Sequence, residues 1–292
     1  MRYKRILLFG DYIQDVSVQC DCTRVCPEAP VPVLVPISSS DSAGGAGLVD
    51  ANLKSLGLRV EALFGSWSKK TRYFVGNQLV MRVDQDEQNV AQEEDSIAYL
   101  LPELDKADLI VVSDYNKGSV TERIAKMLVG TGKSCYVDTK NQHTEWFAGR
   151  NVTLFPNQRE IANVLGKEQM FERVIAKMGS EGARVIRVDA DGYGFDEAVP
   201  TASRNVFSVI GAGDVFLAGY VWAQVEGLDP IASTRVANHL AGRSVEQVGT
   251  FVARKEDLPT LDSFSSFTCT FPASAEASTV STWLQVNKTD NT

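Results

Sequence analysis

Histidine is nearly absent: the 292-residue chain has two, His143 and His239, far apart in sequence. A structural zinc site needs four ligands, so the clustered Cys20, Cys22 and Cys26 read as thiols rather than as a metal centre. Five cysteines are an odd number, which argues against a disulfide framework and for a reducing compartment. Basic runs are also missing. With a net charge of -8 and no cluster of Lys or Arg, the surface repels phosphate backbones, which excludes a nucleic-acid groove. No stretch approaches the ~20 apolar residues that span a bilayer. The basic start Met1-Arg2-Tyr3-Lys4-Arg5 precedes an apolar run of residues 6–9 only, too short for the core of a signal peptide. The expectation is a cytoplasmic protein with neither a nucleic-acid nor a membrane partner.

What is present is ordinary for a globular enzyme. Hydrophobic residues make up 44% of the chain and charged residues 23%, enough to bury a sizeable core. Residues 6–9, 60–64, 108–112, 134–137, 152–155 and 184–188 are short apolar runs, the mark of strands covered on both faces. Helical patterns separate them over 48–56, 95–104, 121–129, 169–178, 216–225 and 230–248. Such alternation predicts an α/β fold with a doubly wound, mostly parallel sheet flanked by helices. Residues 12–38 break the pattern, being alternating, β-branched and interrupted by prolines. With 73–83 they read as a small sheet projecting from the core. From Leu258 onward the chain is rich in Ser and Thr, with strand candidates at 264–271 and 280–286.

The strongest chemical signal is Val209-Ile210-Gly211-Ala212-Gly213-Asp214, followed by an apolar helix. Small residues let backbone N–H groups approach a ligand, and the helix start adds a positive dipole end suited to phosphate. Asp214 in the first turn can take a proton from an alcohol. A plain capped helix after a glycine turn is the alternative.

Other segments join it in order along the chain. They are Gly10-Asp11 with Asp15, Pro27-Glu28-Ala29-Pro30-Val31-Pro32, Gly44-Gly45-Ala46 and Asn77-Gln78 with Arg82 and Asp84. Ser113-Asp114-Tyr115 with Lys117-Gly118, Asp138 with Lys140, Asn157 with Glu160, and Gly249-Thr250 complete the series. On these residues the chain resembles the ribokinase-like (PfkB) carbohydrate kinases, and within them the kinase domain of bacterial heptose-7-phosphate kinases. The resemblance implies a ribokinase-like kinase domain over 1–258, with lid segments at about 12–38 and 71–84, and a separate extension over 259–292. It also implies ATP-dependent phosphorylation of a sugar or sugar phosphate. Asp214 is then the base, and Gly211, Ala212 and Gly213 form the anion hole. Asp11, Asp15, Gly44, Gly45 and Asp114 are implied at the sugar. Arg72, Lys117 and Lys140 are candidates for an anionic sugar's own phosphate, or else solvated cations. Asn157, Glu160 and Asn238 are implied at the nucleotide, with Asn157 and Glu160 organising Mg2+ through water. A homodimer through the β lid is implied as well.

Departures are visible too. Leu48 stands where relatives carry a sugar-binding Asn, and Ser208-Val209-Ile210 replaces a polar triplet before the glycines. Residues 64–70 are too few for the crossover helix and lid strand expected there, so part of the substrate wall is expected to be missing or supplied from elsewhere. These departures leave room for a second class of function, a weak or inactive member that binds sugar or nucleotide as a regulatory subunit.

Overall fold

A computed structural model describes residues 4–189, 193–202, 205–247, 249–260 and 275–276. The sheet is built from β1 (Arg5–Asp21), β3 (Arg59–Val75), β5 (Leu109–Asp114), β6 (Cys135–Thr139), β7 (Gly149–Leu154) and β8 (Phe171–Lys177). These six run parallel in the order β8-β7-β6-β5-β1-β3. Antiparallel strands finish both edges: β9 (Ala183–Val188) and β10 (Tyr193–Val199) beyond β8, and β4 (Gln78–Val90) beyond β3. β11 (Ala275–Glu276) pairs with β10.

Alternation along β1 explains the two layers. Leu7 and Phe9 pack with Ile97 and Leu100 of α2 (Glu93–Leu104) and Ile124 and Leu128 of α3 (Glu122–Gly130). Ile6 and Leu8 face the other way, against Val49 and Leu53 of α1 (Ala46–Ser55) and Phe216, Leu217 and Tyr220 of α4 (Ala212–Val225). Buried apolar residues on successive positions are what a strand covered on both faces requires. The last helix, α5 (Pro230–Val245), begins with Pro in its first turn and with the Asp229 side chain accepting from Ala232 N.

The sequence expectation fails in three places. Residues 169–178 are not a helix: a 3-10 turn, Glu168–Met170, leads straight into β8. Phe171, Val174 and Ile175 have helix-like spacing, but a strand buried on both faces presents the same residues. Second, β1 does not stop at Gly10; it runs from Arg5 to Asp21, 17 residues in all, first as a core strand and then as a strand of the projecting sheet. Third, residues 64–70 are not a truncated crossover. The crossover is α1, and β3 runs unbroken alongside β1 into the lid, with one register shift where Gly65 is the extra residue. The projecting sheet consists of the outer halves of β1 and β3 with β2 (Val35–Gly45) and β4, so it takes in more of the chain than residues 12–38 and 71–84. The strand candidates at 264–271 and 280–286 lie outside the described residues. Among the described residues, no helix is long and apolar enough to cross a membrane.

Candidate active site

Gly211 caps α4 with φ +73°, a left-handed conformation that glycine adopts without steric cost. A side chain there would also collide with Leu48, since a Cβ would stand 2.4 Å from Leu48 Cδ2. Leu48 is thus the apolar floor of the glycine turn. Upstream, Ser208 Oγ accepts from Ile210 N at 3.2 Å and closes the approach to the turn. The first N–H groups of an α-helix have no acceptor within the helix, so this turn offers donors to an anion.

Asp214 lies in the same turn, 3% exposed. Burial pushes its carboxyl up to about 7, and the Asp138 carboxylate adds to the rise. The Tyr115 hydrogen bond, Lys140 and Lys177 pull it back. Tyr115 Oη lies 2.9 Å from both Asp214 oxygens. Asp138 ends β6 and pairs with Lys177 at the end of β8. A Cβ on Gly213 would stand 3.5 Å from Lys177 Nζ, which places this pair directly beneath the glycine turn.

Lys140 connects this centre to the Asn157–Glu160 turn. Its ammonium is 3.3 Å from Glu160 Oε1 and 4.4 Å from the centre of the Tyr115 ring. Glu160 is further held by Asn157 Nδ2 at 2.6 Å and Asn157 N at 2.9 Å. Lys140 feels the carboxylates of Asp138, Glu160 and Asp214, and they hold its ammonium above the ordinary lysine range against burial. Among the described residues no group of three or more His, Cys, Asp or Glu forms a metal cage. The donor set nevertheless suits Mg2+ held partly by water, because Glu160 and Asp138 offer hard oxygens and Asp138 Oδ1 is buried with no hydrogen-bond partner.

Asp11 is 0% exposed and fully committed. It accepts from Ser66 Oγ at 2.5 Å and from the backbone N–H groups of Tyr115, Lys117 and Ser119 at 2.7, 3.2 and 3.1 Å. Asp114 is likewise buried and accepts from Thr139 Oγ1 at 2.6 Å, while burial and the neighbouring Asp11 carboxylate raise its carboxyl above the ordinary range. In this structure the bonds of both carboxylates fasten the loop after β5. Asn238 is also engaged elsewhere: its amide donates to Val199 O at 2.8 Å, tying α5 to the end of β10.

One face of the projecting sheet carries paired charges beside this centre. Asp15 pairs with Arg72 at 2.5 Å, and a Cβ on Gly44 would stand 2.3 Å from Asp15 Oδ2, so that glycine makes room for the carboxylate. Gly45, with φ +57°, turns β2 into α1 beside Asp11. Lys117 pairs with Asp86 at 2.5 Å. The cations named from sequence, Arg72, Lys117 and Lys140, are therefore each matched by a carboxylate. Lys70 was not named. It lies across from Asp15 on one side and Asp84 on the other, 5.4 Å from the Tyr115 ring centre, and forms no ion pair with any described side chain. Burial lowers its affinity for a proton, and Arg82 and Lys117 lower it further against Asp15 and Asp84. Alternation along β3 is the one sequence signal for Lys70, and Lys177 closes β8, whose apolar spacing also fits a helix.

Comparison with known proteins agrees with this geometry. The profile of the pfkB family carbohydrate kinases matches residues 73–256. The protein named bifunctional protein HldE of Mesorhizobium japonicum is 29% identical over 87% of the chain, and that of Paramagnetospirillum magneticum 30% identical over 88%. The chain spans 61% and 63% of their lengths. Phosphofructokinase-2 of Escherichia coli, in complex with potassium, has the same fold, with a TM-score of 0.69 at 16% identity over 87% of this chain and 96% of its own. Ribokinase of Arabidopsis thaliana, complexed with ribose and ATP, gives 0.61 at 16% identity over 91% and 99%. A buried aspartate at a glycine-capped helix start, a charged lid above it and a profile match over most of the chain lead to one assignment: this chain belongs to the pfkB family of carbohydrate kinases.

Proposed function

We propose that this chain transfers the terminal phosphoryl group of ATP to a hydroxyl of a phosphorylated sugar, of the heptose-7-phosphate type. The observation that carries the reading is the Asp214 carboxyl, buried at the start of α4 and raised to about 7, where it can accept an alcohol proton near neutrality. The Gly211–Gly213 amides hold the transferred group, and Lys140 and Lys177 offset its charge. Glu160 and Asn157, with Asp138, would hold Mg2+, which would supply positive charge against the ATP phosphates. The lid covers the sugar and keeps water from competing as acceptor. Measuring ADP release from Mg-ATP against a panel of heptose and hexose phosphates tests the reading. Turnover on a phosphorylated sugar supports it. ATP binding without turnover on any sugar supports the regulatory alternative instead.

The matches to HldE proteins support the heptose class, and Lys70 supports an anionic sugar. A hydrogen bond to a charged group contributes about 1.5–3 kcal/mol, so Lys70→Ala raises KM for a sugar phosphate roughly ten- to hundredfold. The unphosphorylated sugar is unaffected in the same assay. An equal loss on both sugars removes Lys70 from this role.

Two copies of the chain pair through the outward face of the lid. Tyr73 lies across from Met81 and Thr71 across from Val83, and Trp67, Met81 and Val83 remain 48%, 44% and 39% exposed. An apolar patch of this kind beside an edge strand marks an interface. Light scattering is expected to give a dimer for the wild type and a monomer for the Met81→Asp, Val83→Asp double variant; a monomeric wild type overturns the pairing.

A further inference from the structure

The phenol of Tyr115 touches Asp214, and none of the roles given above accounts for it. Its hydroxyl lies 2.9 Å from each carboxylate oxygen, a symmetric contact that fixes the plane of the carboxylate. A carboxylate has about four lone-pair sites, so one donor straddling both oxygens leaves a site on each free for an incoming alcohol.

This placement is built from several directions. The backbone of Tyr115 is tied to Asp11 at 2.7 Å. The next residue, Asn116, has φ +56°, the one positive φ among described non-glycine residues, and its N–H donates to Asp114 Oδ1 at 2.8 Å. Gly118 follows with φ +100°. Holding a non-glycine residue in the left-handed region costs energy that surrounding contacts must offset, and it recurs where geometry serves a site. The ring itself has Lys140 and Lys70 near it, at 4.4 and 5.4 Å from its centre.

We propose that Tyr115 is a positioning residue for phosphoryl transfer: its hydroxyl aims the Asp214 carboxylate at the acceptor alcohol and stabilises the ionised form that takes the alcohol's proton. The proposal rests on Asp214 being the base. In the step, the acceptor O–H bond breaks, its proton passes to Asp214, and the oxygen forms the new bond to phosphorus as the bond to the leaving ADP oxygen breaks. Tyr115 keeps its own proton throughout. Burial, then the carboxylates of Asp214, Asp138 and Asp15, hold the phenol well above its ordinary range, so it stays a donor across the working pH.

The groups facing Asp214 are Asp138 at the end of β6, Lys140 just beyond it, Lys177 at the end of β8, and Tyr115 after β5. Leu48 on α1 presents only carbon to the turn. Asp138 disfavours the ionised form, while the two lysines and Tyr115 favour it. Replacing the hydroxyl with hydrogen removes one of the three favourable groups and leaves the others in place.

The test is the pH profile of kcat/KM for Tyr115→Phe. Its acid limb is expected to move up by about one pH unit, the equivalent of one hydrogen bond, with KM for the sugar unchanged well above the limb. Site-specific 3-fluorotyrosine at position 115 keeps the ring and strengthens the donor, so its limb moves down. Carbon-13 NMR of labelled aspartate, assigned with Asp214→Asn, reads the same two shifts without turnover. A ring that serves only packing leaves limb and resonance unmoved in both proteins, and that result overturns the proposal. A wild type without turnover overturns the base assignment alone, because the NMR titration still decides whether Tyr115 governs the ionisation of Asp214.

Discussion

Asp214→Asn is expected to lower kcat/KM for the sugar by ~10²–10⁴-fold, the usual cost of losing a general base. The substitution is nearly isosteric and keeps an acceptor for the Tyr115 hydroxyl, so the loss reports chemistry rather than collapse. Its effect on stability runs the other way. The carboxyl is shifted from 3.8 to about 7 on folding, so between those pH values the folded chain binds a proton that the unfolded chain has released. This group therefore favours the fold below about 3.8, and its contribution is lost as pH rises to about 7. In the Asn variant that decline disappears, and the variant is at least as stable as the wild type at pH 8. The activity of the wild type climbs with pH through the same interval, because the base works only when ionised. ADP release and denaturant midpoints, followed from pH 5 to 9, check all three statements. Full activity in the variant rules out Asp214 as the base.

Lys177→Met is expected to destabilise the protein by about 3–5 kcal/mol, the typical cost of stripping one partner from a buried ion pair. The Lys177 and Asp138 side chains are 12% and 6% exposed, so water does little to screen what is left behind. Asp138 already has one oxygen without a partner. Without Lys177 its charge faces Asp214 directly and makes that carboxylate harder to ionise, since Lys177 is one of the groups that favour the ionised form. A loss of this size is a large share of the ~5–15 kcal/mol that holds a domain together. The double change Asp138→Asn with Lys177→Met removes the stranded charge and recovers most of the loss. Urea unfolding with an unchanged m-value measures both. A single variant within about 0.5 kcal/mol of wild type, the range of neutral surface changes, shows that the pair is solvated instead.

The parts of this fold that could be read from sequence are those whose signal is local. The apolar runs beginning at Ile6 and at Leu109 are strands because burial on both faces leaves no polar position. The glycine turn and the apolar stretch after it announce α4, whose residues are buried nearly all round. Residues 171–177 misled because a strand covered on both sides and a helix facing a core can carry the same apolar spacing; pairing with β7 and β9 decides between them, and those partners are distant choices. The site follows the same division. Asp214 and Asn157–Glu160 sit in compact motifs. Asp11 and Asp114 sit in motifs too, and in the fold their carboxylates accept from the backbone of the loop after β5. Lys70 and Lys177 carry no motif, and only the folded sheet shows what each one faces.

The continuity of β1 and β3 has a mechanical consequence. Each rib is 17 residues long, anchored in the core at one end and carrying the lid at the other. Such a lid is a cantilever rather than a flap on a hinge. The two ribs change register against each other once, at Gly10–Asp11 and Gly65. Asp11 grips the Tyr115 loop at that same point, so any displacement of the ribs there is passed to the residue that touches Asp214.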